Sequence, residues 1–385
     1  MGFKKARHCW LLFSLFLFSP LYGREKPVFP LFIDHIGKGY ASIASVRDSR
    51  AIFFNPATIS SIPDNFYALD ISFANSKTVN EIFQNPEDLQ NRISSSYGQE
   101  EAYGYVSGNG PLYLGVKFDN IQLVLFHSFQ MDFRTYFSWL PSAGVYGDVS
   151  AVDDLGVAAG FSFPLPVPIT GSKWETLYWG FSLKVFQRVK GINPQIPLET
   201  IADMGSPLEF IQNNLNPGRA IGFTNDLGLY YRYQDFSAGA VLYNLLSLPM
   251  VYYPVKLPTI WTSSSDTEIE GYKDSLGLDL GFGASYVFSE IGGIPTHFLK
   301  NLTLSLELNE FFNNVDYPYF YQKIRSGAEI TLANVIALRL GFLHGNLTFG
   351  LGYRFLILKI DTAYWQEKIG ENTATNWGME ISIEF

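Results

Sequence analysis

The sequence predicts an all-β protein: a transmembrane antiparallel β-barrel of about fourteen strands, with an N-terminal plug and short helices in its extracellular loops. Three observations predict it. The chain opens on an export signal, a period-two alternation of apolar and small or polar residues recurs along it, and its connections alternate between tight turns and long loops.

The signal occupies residues 1–23. Lys4, Lys5 and Arg7 form a basic start, Trp10 to Phe18 a short apolar core, and Gly23 is a small residue before the cut. That core is too short to cross a bilayer as a helix. The one cysteine, Cys9, leaves with the signal, so no disulfide or thiol chemistry is expected of the mature chain. Cys9 also precedes the apolar core, which argues against lipid attachment. Cleavage removes three basic groups and no acidic ones, taking the net charge from −9 to −12. An acidic chain without a basic run excludes nucleic acid as an expected partner.

Alternation is clearest at the C-terminus. In "WGMEISIEF", Trp377, Met379, Ile381, Ile383 and Phe385 share one face, and Gly378, Glu380, Ser382 and Glu384 the other. Leu302 to Asn309, Ile336 to Phe342, Leu347 to Tyr353 and Leu356 to Asp361 repeat the pattern. A soluble sandwich also alternates, but its polar face carries Lys, Thr and charge. Here that face is rich in Gly, Ser and Ala with isolated charges, which suits a crowded lumen facing a plug. Trp179, Tyr286, Tyr364, Trp365 and Trp377 fall near strand ends, as an aromatic girdle would. The aromatic C-terminal strand suits recognition by the barrel-assembly machinery, and the apolar face suits outer-membrane lipid.

Strands are predicted over 66–75, 101–118, 121–135, 150–164, 175–190, 219–233, 236–247, 273–288, 299–311, 321–332, 335–343, 346–354, 356–366 and 376–385. Tight turns fall at Asp119-Asn120, Gln234-Asp235, Ala333-Asn334 and Arg354-Phe355. Long loops fall at 76–100, 191–218 and 248–272, on the other side. Register places Glu329 opposite Arg339 on the inner face. With Lys359, Asp361 and Glu380 also inward, one wall carries a mixed charge ladder, read first as structural. In the loops, Asn85-Pro86-Glu87-Asp88 starts a helix with Leu89 and Ile93 on one face. Ser206-Pro207-Leu208-Glu209 reads as a capping box, and Leu198 with Ile201 suggests another short helix.

No catalytic residues, metal site or cofactor are predicted. There is no H-E-x-x-H, G-x-S-x-G or P-loop. Histidines 8, 35, 127, 297 and 344 lack metal-ligand spacing. Asp34-His35 and His127-Ser128 are adjacent pairs, and neighbours on a strand point to opposite faces.

Residues 37–57, "GKGYASIASVRDSRAIFFNPA", resemble the N-terminal hatch of the FadL family of outer-membrane transporters. The matching positions are Gly37, Gly39, Ala41, Asp48, Ala51, Asn55, Pro56 and Ala57. "NDLGLYYRY" at 225–233 and "GAVLYNL" at 239–245 resemble middle strands of such proteins. "GAEITL", "LRLGF", "FGLGYRF" and "IDTAYW" resemble the C-terminal ones. The likeness is nearest to the PorV-like and spirochaetal FadL-like branches.

The resemblance implies a plug over 24–64 and a barrel over 65–385. It also implies passive uptake of hydrophobic compounds such as long-chain fatty acids, through an apolar pocket above the hatch and a lateral gap. Phe53 and Phe54 would line the inner end of that pocket or pack the plug against the wall. Arg47, Arg50 and Arg134 are candidate carboxylate partners by location alone. PorV-like relatives imply the alternative, an interaction protein serving secretion or surface attachment. Pro56 fixes its own φ, removes a donor and turns Asn55 away from helix, which suits a sharp exit from a plug.

Overall fold

The computed structural model describes residues 30–62, 67–96, 101–109, 113–139, 143–166, 175–203, 210, 213–215, 217–254, 273–288, 299–314, 316–369 and 372–384. The signal, Phe66, the capping box at 206–209 and Phe385 lie outside them.

Fourteen strands form a closed antiparallel wall. They are β1 Tyr67–Ser76, β2 in two pieces (Ala102–Asn109 and Leu114–Phe118), β3 Ile121–Ser138, β4 Gly144–Leu165, β5 Glu175–Pro197, β6 Gly218–Tyr233 and β7 Phe236–Tyr243. They continue as β8 Asp279–Phe288, β9 Leu299–Leu308, β10 Ile324–Leu332, β11 Ile336–Leu343, β12 Asn346–Phe355, β13 Leu358–Ile369 and β14 Asn372–Glu384. Each pairs with its neighbour in sequence, and β1 closes on β14 from Ala68↔Glu384 to Ser76↔Asn376. Closure leaves no open edge, as a spanning sheet requires where lipid offers no hydrogen bonds.

The alternation resolves as predicted into a lipid face and an inner face. Leu304, Leu306, Leu338, Leu340, Leu347, Phe349, Leu351, Trp377, Met379 and Ile381 are exposed outward. Asp70, Ser72, Arg339, Thr348, Asp361, Glu380 and Ser382 are buried inward. Together with the closed sheet, this apolar belt is the architecture of a bacterial outer-membrane protein. Trp365 departs from the expected girdle. It shares the inner face with Asp361, is buried, and lies 6.1 Å from the Tyr105 ring. The turn expected at Arg354-Phe355 falls instead at Leu356-Ile357, because Phe355 pairs with Leu358 and Leu356 takes φ 54°. The segment from 321 begins as a helical turn, Phe320–Lys323, capped by Tyr319 and Gln322, before β10 starts.

The wall is tall on one side. β3 to β6 run 16 to 23 residues, whereas β7 to β12 run 8 to 10. About 9–11 tilted residues span the hydrocarbon core, so the longer strands rise beyond it. Three helices pack there: α3 Lys77–Gln84, α4 Pro86–Ser95 and α5 Leu198–Ala202. Their Val79, Ile82, Leu89, Ile93, Leu198 and Ile201 bury against Met131, Phe133, Val149, Ala151 and Val189. Those wall residues share strand parity with the lipid-exposed Leu123, Val157 and Val185. The helices therefore cover, above the membrane, the same face that lipid covers within it. The helix α3 was not legible in the sequence; the Ser76 hydroxyl caps it by accepting from Val79 N–H at 3.3 Å. Pro86 opens α4 as expected, while the Asn85 side chain makes no capping bond.

Residues 30–62 fold as α1 Ile33–Gly37, α2 Ala51–Phe54 and a 3₁₀ turn Pro56–Ser61. α1 packs on β11 to β14 and the 3₁₀ turn on β3 to β6, so the segment reaches across the space the wall encloses.

The small inner-face residues now have a reason. A side chain on Gly180 would collide with the Pro56 and Ala57 backbone, and one on Gly37 would meet the Gly350 Cα at 2.8 Å. Gly180→Val is expected to dislodge the 3₁₀ turn while leaving a heat-modifiable barrel. An unboiled sample should still migrate ahead of a boiled one on a gel, with new proteolytic cleavage near 55–62. Unchanged protease resistance would show that the turn does not depend on this contact.

Candidate functional site

The junction between residues 30–62 and the wall gathers most of the sequence-predicted site residues. It begins with Asn55, whose extended backbone (φ −157°, ψ 104°) lets its side chain reach three ways. Its Nδ2 donates to Ile43 O and to Leu229 O on β6, each at 3.0 Å, and its Oδ1 accepts from Ala57 N–H at 3.0 Å. Pro56 takes the first position of the 3₁₀ turn, where its missing donor costs nothing. Ala57 O accepts from the Ser162 hydroxyl on β4 at 2.7 Å.

Arg50 is the electrostatic centre. Its Nη1 donates to Asp34 Oδ1 at 2.5 Å, and its Nη2 to Asp70 Oδ2 at 2.7 Å and to Glu380 Oε1. One guanidinium thus joins α1 to the first and last strands, where the barrel closes. Glu380 also accepts from Ile33 N–H at 2.8 Å. Lys359 donates to Asp34 Oδ2 at 2.7 Å and lies 3.3 Å from Asp361. Arg339 donates to Asp361 Oδ1 and Glu329 Oε2, each at 2.5 Å, and Glu329 pairs directly across from it. The predicted ladder is therefore present, and it is continuous with the N-terminal segment. A second tie runs from Glu307 on β9, which accepts from Ser42 and Ile43 N–H at 2.8 and 2.9 Å.

Asp48 accepts from Arg50 N–H at 2.9 Å and lies 3.3 Å from His35 Nε2. His35 Nδ1 lies 2.6 Å from the Ser42 hydroxyl, and its ring stacks on Phe54 at 4.4 Å. Burial, reinforced by Lys38, lowers the His35 pKa to about 4, against the opposing pull of Asp34 and Asp48. Burial alone would raise Asp34 and Asp48, yet Arg50 heads the partners that hold both below the ordinary carboxylate range.

Phe53 and Phe54 are fully buried beside this network. Both rings lie 5.9 Å from Phe32, and Phe53 meets Phe126 edge-on at 5.4 Å. Their cluster continues through Tyr113, Phe186 and Ala220 of the wall to Met250, Tyr252 and Leu276 of the long β7–β8 connection. Basic groups border it. Lys184 lies 5.4 Å over Phe53 and is paired with Asp226, and Arg188 grips Asp154 through Nε at 2.7 Å and Nη2 at 2.6 Å.

The structure places the three candidate carboxylate partners differently. Arg50 is engaged by three carboxylates, Arg47 is exposed, and Arg134 sits at the outer end of β3 against Glu101 at 2.8 Å. Gly37 packs on Gly350, and Gly39 takes φ 68° against β10 and β11. Sequence reasoning missed Asp34, Asp70 and Glu307 as parts of the junction. Asp70 had a readable signal: it lies on the inner parity of a strand whose Leu69, Ile71 and Phe73 face out.

No protein-family model matches the chain, and no curated protein matches it by sequence. Solved structures do share its fold. A mutant of the TodX monoaromatic hydrocarbon channel aligns with a TM-score of 0.51 at 13% identity, over 91% of this chain and 97% of that one. The Pseudomonas putida toluene transporter TodX gives 0.49 at 13% identity, over 93% and 99%. A Pseudomonas aeruginosa FadL homologue gives 0.46 at 13% identity, over 94% and 98%. The chain therefore shares its barrel fold with the TodX channel.

Two predictions follow from this geometry. Asn55→Ala deletes three hydrogen bonds at about 1 kcal/mol each and should raise ion leakage in planar bilayers without preventing barrel formation. Acid should act in the same direction. A detached segment protonates His35 near 6.5, the docked one near 4, so docking is strongest above 6.5 and weakens as pH falls toward 4. Conductance should rise across that window and His35→Gln should flatten the rise; a pH-independent wild type would refute the coupling.

Proposed function

We propose that this chain is a FadL-like channel for passive uptake of hydrophobic compounds, with residues 24–64 as the plug and 65–385 as the barrel. The observation that carries this reading is the buried aromatic cluster. It runs from Phe53 and Phe54 past Phe126 and Phe186 to the outer connection, and a second inner cluster gathers Ile33, Ile36, Tyr105 and Trp365. Such a lane lowers the free energy of an apolar solute, as a water-filled pore cannot. The fold shared with a monoaromatic hydrocarbon channel supports the same reading.

The preferred substrates are uncharged. Arg50, Lys184 and Arg188, the buried cations bordering the cluster, are each matched to carboxylates of the protein. A long-chain fatty acid entering as its anion would have to displace one of those pairs, and breaking a buried pair costs about 3–5 kcal/mol. A neutral aromatic or alkyl compound avoids that cost. Lipid covers the outer belt, and the C-terminal strand presents the aromatic register suited to the assembly machinery.

The test is uptake into proteoliposomes of labelled toluene and labelled oleate. Toluene should enter faster than into protein-free vesicles, and oleate should show little gain. Equal rates for toluene with and without protein would reject the channel and favour a role in secretion or attachment. A gain for oleate alone would reject the preference for neutral compounds.

A further inference from the structure

The β9–β10 connection, residues 309–323, lies at the end of the wall opposite the Ala333-Asn334 turn. Its side chains are sorted in the reverse of a loop bathed in water. Its amides and its lysine are turned inward. Lys323, 6% exposed, donates to Phe311 O at 2.9 Å and to Asn314 Oδ1 at 2.5 Å. Asn313 and Gln322 are buried as well. Asn313 Nδ2 donates to Asp316 Oδ2 at 2.9 Å, and Gln322 Oε1 accepts from Tyr319 N–H at 3.1 Å. The rings are left outside: Phe311, Phe312, Tyr319, Phe320 and Tyr321 are all exposed, Phe320 to 63%.

These rings form a fixed array. Phe311 and Phe312 meet edge-on at 5.4 Å, and Tyr319 and Tyr321 stack at 5.7 Å. Phe311 N–H donates to Leu280 O at 3.2 Å and Phe312 N–H to Asp279 Oδ1 at 3.0 Å. Tyr317 stacks on His344 of the β11–β12 turn at 4.0 Å, and the Tyr321 ring lies against Gly345 of the same turn. Such an array is unfavourable in water, and because it is already ordered it gives up little freedom on being covered.

We propose that this connection is a membrane-interface anchor, its five rings seated among the lipid headgroups of the outer leaflet. Two observations choose lipid as the occupant. The rings continue the lipid-facing belt. Phe282 on β8 is exposed and directly paired with Leu308 of β9, and Phe311 is bonded to Leu280, the next residue on the same face of β8. The wall is also shortest here. β9 and β10 run 10 and 9 residues. About 9–11 tilted residues cross the hydrocarbon core, so their connection emerges at the interface. Aromatic rings suit that layer, and tyrosine adds a hydroxyl that can stay in water. On the tall side α3 to α5 cover the outward face; on the short side the rings meet lipid directly. This role is independent of what the barrel carries.

The test places nitroxide labels in a Cys9→Ser chain reconstituted in dilauroylphosphatidylcholine vesicles. Phe320→Cys reports the connection, Leu306→Cys the lipid belt, and Glu87→Cys the water around α4, where Glu87 is exposed. Oxygen concentrates in lipid and a nickel chelate in water. Oxygen should relax the labels at 320 and 306 more than nickel does, and the order should reverse at 87. A label at 320 relaxed chiefly by nickel overturns the anchor. So does a label at 320 shielded from both reagents, because protein would then cover the rings.

Phe320→Ser supplies a second arm. It should lower the folding equilibrium constant, read by urea unfolding in the same vesicles, about tenfold, since a half-covered aromatic side chain is lost from the lipid interface. An unchanged constant also overturns the proposal.

Discussion

A backbone crossing lipid finds no water to bond, and every other feature of this protein depends on that constraint. The chain meets it by pairing each strand with its neighbour and β1 with β14. Closure sends alternate side chains into an enclosed space. Residues 30–62 pack against that inner face, and its smallness is what lets their backbone approach: Gly180 under Pro56, Gly350 against Gly37.

Bringing a polar segment into such a space costs desolvation, and the charges are arranged to offset it. Arg50 donates to carboxylates from α1, β1 and β14, so one residue ties the segment to the seam where the sheet closes. Lys359 and Arg339 extend the network to β10 and β13. Buried pairs of this kind gain little over an apolar packing, but they penalise wrong arrangements heavily. That suits a segment that must sit in one register inside a wall of similar strands. Beside it, the aromatic cluster of Phe32, Phe53 and Phe54 packs the same segment against Phe126 and Phe186 of the wall.

How much was legible differs by element. The lipid faces of β9, β11, β12 and β14 could be read residue by residue, because period-two alternation reports a strand with one wet and one apolar side. Glu329 opposite Arg339 followed from the same register. The strand ends were less legible. Phe355 to Leu358 is uniformly apolar, so pattern alone could not say where the hairpin turns. Trp365 looked like a girdle residue by type, and only the parity of β13 sends it inward. The helix α3 carries no strong start signal in its own sequence; Ser76, the last residue of β1, supplies it.

By itself the sequence determined the architecture: a barrel of about fourteen strands, which face meets lipid, and Asn55-Pro56 as the corner of the N-terminal segment. These are local properties, set by spacing along one stretch of chain. Only the tertiary structure decided the partners. Asp34, Arg50, Asp70, Lys359 and Glu380 lie up to hundreds of residues apart, and nothing in their spacing says that one guanidinium serves three carboxylates. Nor does the text of the β7–β8 connection reveal that Met250, Tyr252 and Leu276 are buried with Phe53. Contacts across a closed lumen are made by folding the wall around a segment, and a one-dimensional pattern carries no record of which residues end up facing each other there.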